Sequence, residues 1–163
     1  MKPGGLRVTL ADEEATVRLA ALLASHQPGP AVVYLRGDLG AGKSTVARAW
    51  LRHLGVAGTI RSPTYTLVER YPLDDLEALH LDLYRIGSGA ELEFLGLDDA
   101  KAWLWLVEWP ERGEGGLPVA DLGVWLAISG SGREVELQPA SKAGEAWLAA
   151  MAQDGQLGGF PEP

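Results

Sequence analysis

The sequence predicts an α/β protein, a single domain in three layers built on a mixed, mainly parallel sheet with antiparallel hairpins. Three observations predict it. The short apolar, β-rich run Ala31–Arg36 leads into a glycine-rich loop and then a helix, one strand–loop–helix unit. Trp103–Val107 is a continuous apolar run, as expected of a strand buried on both faces. Two pairs of strand-like segments, Thr66–Tyr71 with Leu79–Tyr84 and Val124–Ile128 with Arg133–Leu137, are each joined by turn residues and read as hairpins.

In chain order, Arg7–Leu10 reads as a first strand. Asp12–Ser25 reads as a helix with carboxylates in its first turn, ended by Pro28-Gly29-Pro30. After Ala31–Arg36 comes Gly37-Asp38-Leu39-Gly40-Ala41-Gly42-Lys43-Ser44, which fits G-x-x-x-x-G-K-[ST] at every fixed position. Its glycines let backbone N–H groups approach an anion closely. Lys43 offers a point charge to β/γ-phosphates, and the Ser44 hydroxyl can bind Mg²⁺ at the start of the following helix. With 21 glycines in 163 residues a chance match must be weighed, and this composition gives roughly one per 200 such chains. The strand before and the helix Lys43–Leu54 after, closed by Gly55, make the P-loop reading the stronger one and the fold P-loop NTPase-like.

Arg61-Ser62-Pro63-Thr64-Tyr65 is either a connecting loop or a switch whose hydroxyls face a γ-phosphate. In Leu79–Tyr84 the leucines take one face, and His80, Asp82 and Tyr84 the other. Asp82 is then either a solvated residue of a half-buried strand or part of the phosphate site, since strands disfavour Asp. Ser88-Gly-Ala-Glu91 has capping-box spacing and opens a short helix stopped near Gly96. Glu108 ends the apolar run Trp103–Val107, where an acid can bind Mg²⁺ or sit as a rim charge. Trp109 begins a loop, either packed beneath it or clamped near the nucleotide. Ser141 to Met151 reads as a last helix, giving a domain over 1–152 and a flexible tail over 153–163, with no repeat or linker.

Bulk properties narrow the function. A formal charge of −8, with four lysines scattered among ten arginines, argues against a broad grip on nucleic acid. No cysteine is present, no signal-peptide pattern opens the chain, and no apolar run approaches a membrane span, so a cytoplasmic protein with no membrane partner is expected. None of Lys2, Lys43, Lys101 or Lys142 lies in an [NT]-K-x-D element, which favours ATP over GTP. Arg112 and Arg133 are the only late arginines, thin support for the lid of a small-molecule kinase.

Gly37–Thr45, Ser62–Glu69, His80–Arg85, Glu91–Gly96 and Leu106–Pro110, in this order, together resemble the bacterial TsaE family, the ATPase of tRNA threonylcarbamoyladenosine (t6A) biosynthesis. The resemblance runs from about Val33 to Arg133. It implies a P-loop ATPase that binds a TsaB–TsaD heterodimer and hydrolyses ATP with Mg²⁺, reaching tRNA only through that complex, while adenosine 37 is modified. By the same resemblance Asp38, Leu39, Gly40, Ala41, Gly42, Lys43, Ser44 and Thr45 hold the nucleotide, and Ser44 and Glu108 match the Mg²⁺ positions. Asp82 and Trp109 match positions tied to ATPase function, and Glu111 and Arg133 fall near nucleotide contacts. Ser44-Thr45 stands where many relatives have Thr-Thr; either hydroxyl serves. The expected mechanism has Lys43, loop amides and Mg²⁺ holding the phosphates, with Asp82 or a Ser62–Tyr65 hydroxyl orienting water. With no strong base or arginine finger in the sequence, hydrolysis by the isolated chain is expected to be slow. A nucleotide-gated adaptor that does not need hydrolysis is the alternative from another class.

Overall fold

A row of residues running across three neighbouring strands, Leu35, Glu108 and Asp82, fixes where this fold puts its chemistry. The computed structural model describes residues 4–161, so the first three residues of the expected domain and the last two of the expected tail lie outside the described residues. Seven strands form one sheet: β1 (Leu6–Leu10), β2 (Ala31–Arg36), β3 (Val68–Leu73), β4 (Leu76–Asp82), β5 (Ala102–Glu108), β6 (Leu122–Ser129) and β7 (Gly132–Pro139). Their order is β1-β7-β6-β2-β5-β4-β3. The central strands β6, β2, β5 and β4 pair in parallel, and antiparallel strands complete both flanks, as the expected mixed sheet requires. Because β2, β5 and β4 run the same way, their C-terminal ends share one edge, the usual place for a ligand in an open α/β sheet.

Three helices, α1 (Glu13–Ser25), α2 (Lys43–His53) and α3 (Lys142–Ala152), share one continuous core with one face of the sheet. Trp50 and Trp147 meet edge to face there, with ring centroids 5.6 Å apart, and the Trp147 indole N–H donates to the Leu23 carbonyl at 3.0 Å. A buried indole is well placed when its one donor is satisfied in this way. The opposite face buries Leu79, Leu81, Leu83 and Val107 under loops and two 3-10 turns, Gly89–Leu95 and Pro110–Gly113. The third layer is therefore made of turns rather than long helices.

Side-chain caps account for the starts of α1 and α3. The Asp12 carboxylate accepts from the Ala15 N–H at 2.8 Å, and the Ser141 hydroxyl accepts from the Gly144 N–H at 3.0 Å. Glu91 accepts from the Ser88 N–H, the reciprocal half of the expected capping box, and the turn it opens is 3-10. Gly55 follows α2 at φ +99°, the left-handed stop expected of it.

Several boundaries differ from the sequence reading. β3 begins at Val68, not Thr66, because Leu67 turns the chain at φ +69°. Pro72, expected in the connection, lies inside β3, which as an edge strand needs no N–H from it on its outer side. β4 stops at Asp82, so Leu83 and Tyr84 leave the ladder. Nor is β4 half-buried: Leu79, His80, Leu81 and Asp82 are all buried, and Ala78, on the same face as His80 and Asp82, belongs to the core shared with the helices. The segment expected as a loose tail carries a 3-10 turn, Gly155–Gly159, and buries Phe160 beneath Arg18. The Thr9 N–H donates to the Pro161 carbonyl at 2.7 Å, giving part of the free edge of β1 a partner.

Trp147→Ala removes both the edge-to-face contact and the indole hydrogen bond, so urea denaturation should register a loss of about 3–5 kcal/mol. An unchanged midpoint would contradict the central place given to this pair.

Candidate active site

The loop between β2 and α2 is shaped by close approach and by positive φ. Gly37, at φ +146°, lies so near β6 that a Cβ there would collide with the Leu126 carbonyl. Gly40 and Gly42 sit at φ +82° and +111°, conformations that L side chains rarely adopt. Gly42 is also the N-cap of α2 and supplies no side chain, so α2 begins without the side-chain cap that α1 and α3 possess. Uncapped N–H groups and the positive end of the helix dipole together suit an anion. Asp38, Leu39 and Gly40 are exposed at the rim, Ala41 is buried, and Thr45 is half-buried in the first turn of α2.

Lys43 is the second constituent. It is buried, and its ammonium donates to the carbonyls of Gly37 and Asp38, the latter at 3.0 Å. The same ammonium lies 4.6 Å from the centre of the Trp109 ring. A cation over an indole face is attracted by the ring quadrupole, more strongly where water is excluded. Trp109 itself adopts φ +57°, an outlier for a bulky residue, and its ring rests against Tyr84 at 4.9 Å between centroids. Trp109 therefore packs against Tyr84 and also touches the loop lysine.

Carboxylates complete the site. Glu108 ends β5 and is buried, with the Ser44 hydroxyl 3.4 Å and 3.3 Å from its two oxygens. His80 Nε2 lies 2.6 Å from Glu108 Oε2. Asp82, beside Glu108 in the sheet, accepts from the Tyr84 N–H at 3.1 Å. Burial raises the Asp82 pKa above the usual carboxylate range; the Tyr84 N–H opposes this, neighbouring Glu108 adds to it, and His80 and Lys43 oppose it.

Of the residues expected from sequence, Lys43, Ser44, Asp82, Glu108 and Trp109 meet at this edge. Arg133 reaches the loop from β7 and donates to the carbonyls of Ala41 and Gly40, at 3.0 Å and 3.1 Å. Glu111 pairs with Arg36 at 3.1 Å on the surface. In the Arg61–Tyr65 segment the Ser62 and Thr64 hydroxyls bond each other at 2.7 Å, while the Leu67 carbonyl just beyond accepts from the Asp82 N–H at 3.0 Å. The segment is thus tied to the site through backbone. Sequence reasoning placed His80 on the Asp82 face but missed its pairing with Glu108, which depends on β4 lying next to β5.

The donor set suits Mg²⁺, a hard cation that takes oxygen ligands and is often held by one or two protein carboxylates together with substrate phosphates. A hydroxyl and a carboxylate at Ser44 and Glu108 fit that demand, and the uncapped end of α2 beside Lys43 fits the phosphates.

Asp82 gives a pH prediction. With its pKa raised in the folded state, its favourable contribution is full below the ordinary carboxylate pKa and lost as pH rises through the folded value. Asp82→Asn should therefore raise Tm at pH 7 and lose that advantage on acidification. A Tm difference that does not change with pH would contradict the burial argument.

The model of the family described as "Threonylcarbamoyl adenosine biosynthesis protein TsaE" matches residues 10–135. A protein of Haemophilus influenzae named tRNA threonylcarbamoyladenosine biosynthesis protein TsaE is 41% identical over 133 residues, covering 80% of this chain and 84% of its own. Its namesake in Bacillus subtilis is 35% identical over 119 residues, covering 72% and 74%. The crystal structure of Bacillus subtilis YdiB superposes with a TM-score of 0.75 at 27% identity, covering 91% of this chain and 95% of that one. The matched region spans β2, the phosphate loop, α2, β4 and β5, and so every residue that meets at the site: the chain belongs to the TsaE family of threonylcarbamoyl adenosine biosynthesis proteins.

Proposed function

We propose that this chain binds ATP with Mg²⁺ at the phosphate loop and hydrolyses it slowly, supporting t6A modification of tRNA together with a TsaB–TsaD heterodimer. One observation carries the reading: the Ser44 hydroxyl and the buried Glu108 carboxylate meet at an uncapped helix start, next to a buried lysine. Loop amides and Lys43 hold the phosphates, and Ser44 and Glu108 hold the cation directly or through water. A Mg²⁺ held by these two residues would supply charge neutralisation for the phosphate oxygens.

Lys43 now donates to the Gly37 and Asp38 carbonyls, groups it exchanges for phosphate oxygens at little cost in hydrogen bonds. Trp109 keeps the ammonium near the loop during that exchange. Asp82 is the nearest candidate for orienting water, since Glu108 is engaged by His80 and Ser44. Burial, which raises its pKa, makes it a better proton acceptor than an ordinary carboxylate, and its bond to the Tyr84 N–H occupies one of its two oxygens.

That same engagement of both carboxylates favours a second reading, the nucleotide-gated adaptor, in which binding and release of ATP are sufficient. A variant such as Asp82→Ala that binds ATP without hydrolysing it separates the two. Restored t6A formation supports the adaptor, and none supports the ATPase.

Single-turnover hydrolysis should be slow for the chain alone and faster with TsaB–TsaD. Lys43→Ala should lower the rate about 100-fold or more while the domain stays folded. Rapid hydrolysis indifferent to partners, or wild-type turnover in folded Lys43→Ala, would contradict the proposal.

A further inference from the structure

His80 is buried within the sheet, on β4, directly beside β5 and its terminal Glu108. Its Nε2 reaches Glu108 Oε2 at 2.6 Å, and the two side chains are 3% and 4% exposed. Its other nitrogen, Nδ1, is also buried and has no hydrogen-bond partner. These facts select a tautomer. A proton on Nδ1 would leave a buried donor unmet, whereas a neutral ring protonated on Nε2 donates to the carboxylate and leaves Nδ1 a bare acceptor, the less costly orphan. Glu108 has two oxygens, and the histidine engages one of them. The Ser44 hydroxyl lies 3.4 Å from Oε1 and 3.3 Å from Oε2, so the histidine restrains the carboxylate at Oε2 and leaves Oε1 with the hydroxyl alone beside it.

We infer that His80 is a positioning residue for the cation site: it holds the Glu108 carboxylate in the orientation that presents its free oxygen, with the Ser44 hydroxyl, to Mg²⁺. The inference rests on the proposed Mg²⁺–nucleotide reading and goes beyond it by assigning a residue outside the phosphate loop and the two expected cation ligands. A partner that orients a ligating carboxylate commonly contributes tenfold or more to metal affinity, in roughly the range 10–100-fold. Unrestrained, Glu108 would rotate about its side-chain torsions and lose part of that affinity to conformational entropy.

The test measures the Mg²⁺ concentration that half-saturates binding of a fluorescent ADP analogue, for wild type, His80→Leu, His80→Gln and His80→Asn. His80→Leu should need about tenfold more Mg²⁺ or more, with its metal-free affinity for the analogue unchanged. Gln carries an amide N–H at nearly the reach of Nε2 and should restore most of the response, whereas the shorter Asn should not. Should His80→Leu fail to fold, the Gln and Asn pair decides. In a Glu108→Gln background, the His80 substitution should add no further loss, because it acts through that carboxylate. A folded His80→Leu with wild-type Mg²⁺ dependence, equal responses from Gln and Asn, or a matching loss of metal-free affinity would overturn the assignment. Wild-type binding that ignores Mg²⁺ is a different failure, which removes the Mg²⁺ reading and this inference with it.

Discussion

A glutamate buried at the end of a central strand is costly unless neighbouring groups receive its charge, and the geometry around Glu108 is arranged to do so. His80 comes from β4, Ser44 from the first turn of α2, and Glu108 from β5 between them. Three elements distant in sequence are locked to one another by these contacts. The lock depends in turn on the parallel pairing of β2, β5 and β4, which brings their C-terminal ends to one edge. A sheet that did not set β4 beside β5 would leave the carboxylate without its histidine.

Unusual backbone geometry gathers at the same edge. Gly37 cannot carry a side chain because β6 passes too close, and Gly40 and Gly42 hold positive φ. Trp109 holds positive φ without being glycine, a conformation that persists only when its surroundings fix it. Here those surroundings include Tyr84 and the Lys43 ammonium. Arg133 adds restraint from β7 by drawing on the Gly40 and Ala41 carbonyls. The loop is thus shaped chiefly by its neighbours, and its own sequence supplies the permission to bend.

Much of this was legible in the sequence because it is local. The P-loop spacing, the helix after it, the capping box at Ser88 and the apolar run ending at Glu108 each reside in fewer than a dozen residues. The alternation in Leu79–Asp82 was also visible, but it assigned faces without saying what would cover them. Burial of His80 and Asp82 depends on the neighbours of β4, β5 among them, whose positions no local pattern encodes. The same holds for the placement of β6 beside β2, and for Phe160, which lies against Arg18 of α1. Periodicity reported which residues share a face, and long-range pairing decided what each face meets.

The account turns on a cation held between Ser44 and Glu108 beside the phosphate loop. Isothermal titration of ATP into the purified chain, with and without Mg²⁺, tests it most directly. The account predicts one-to-one binding that is strengthened by Mg²⁺, with that strengthening lost in Ser44→Ala. Equal affinity with and without the cation, or a Mg²⁺ effect that survives in Ser44→Ala, would contradict it.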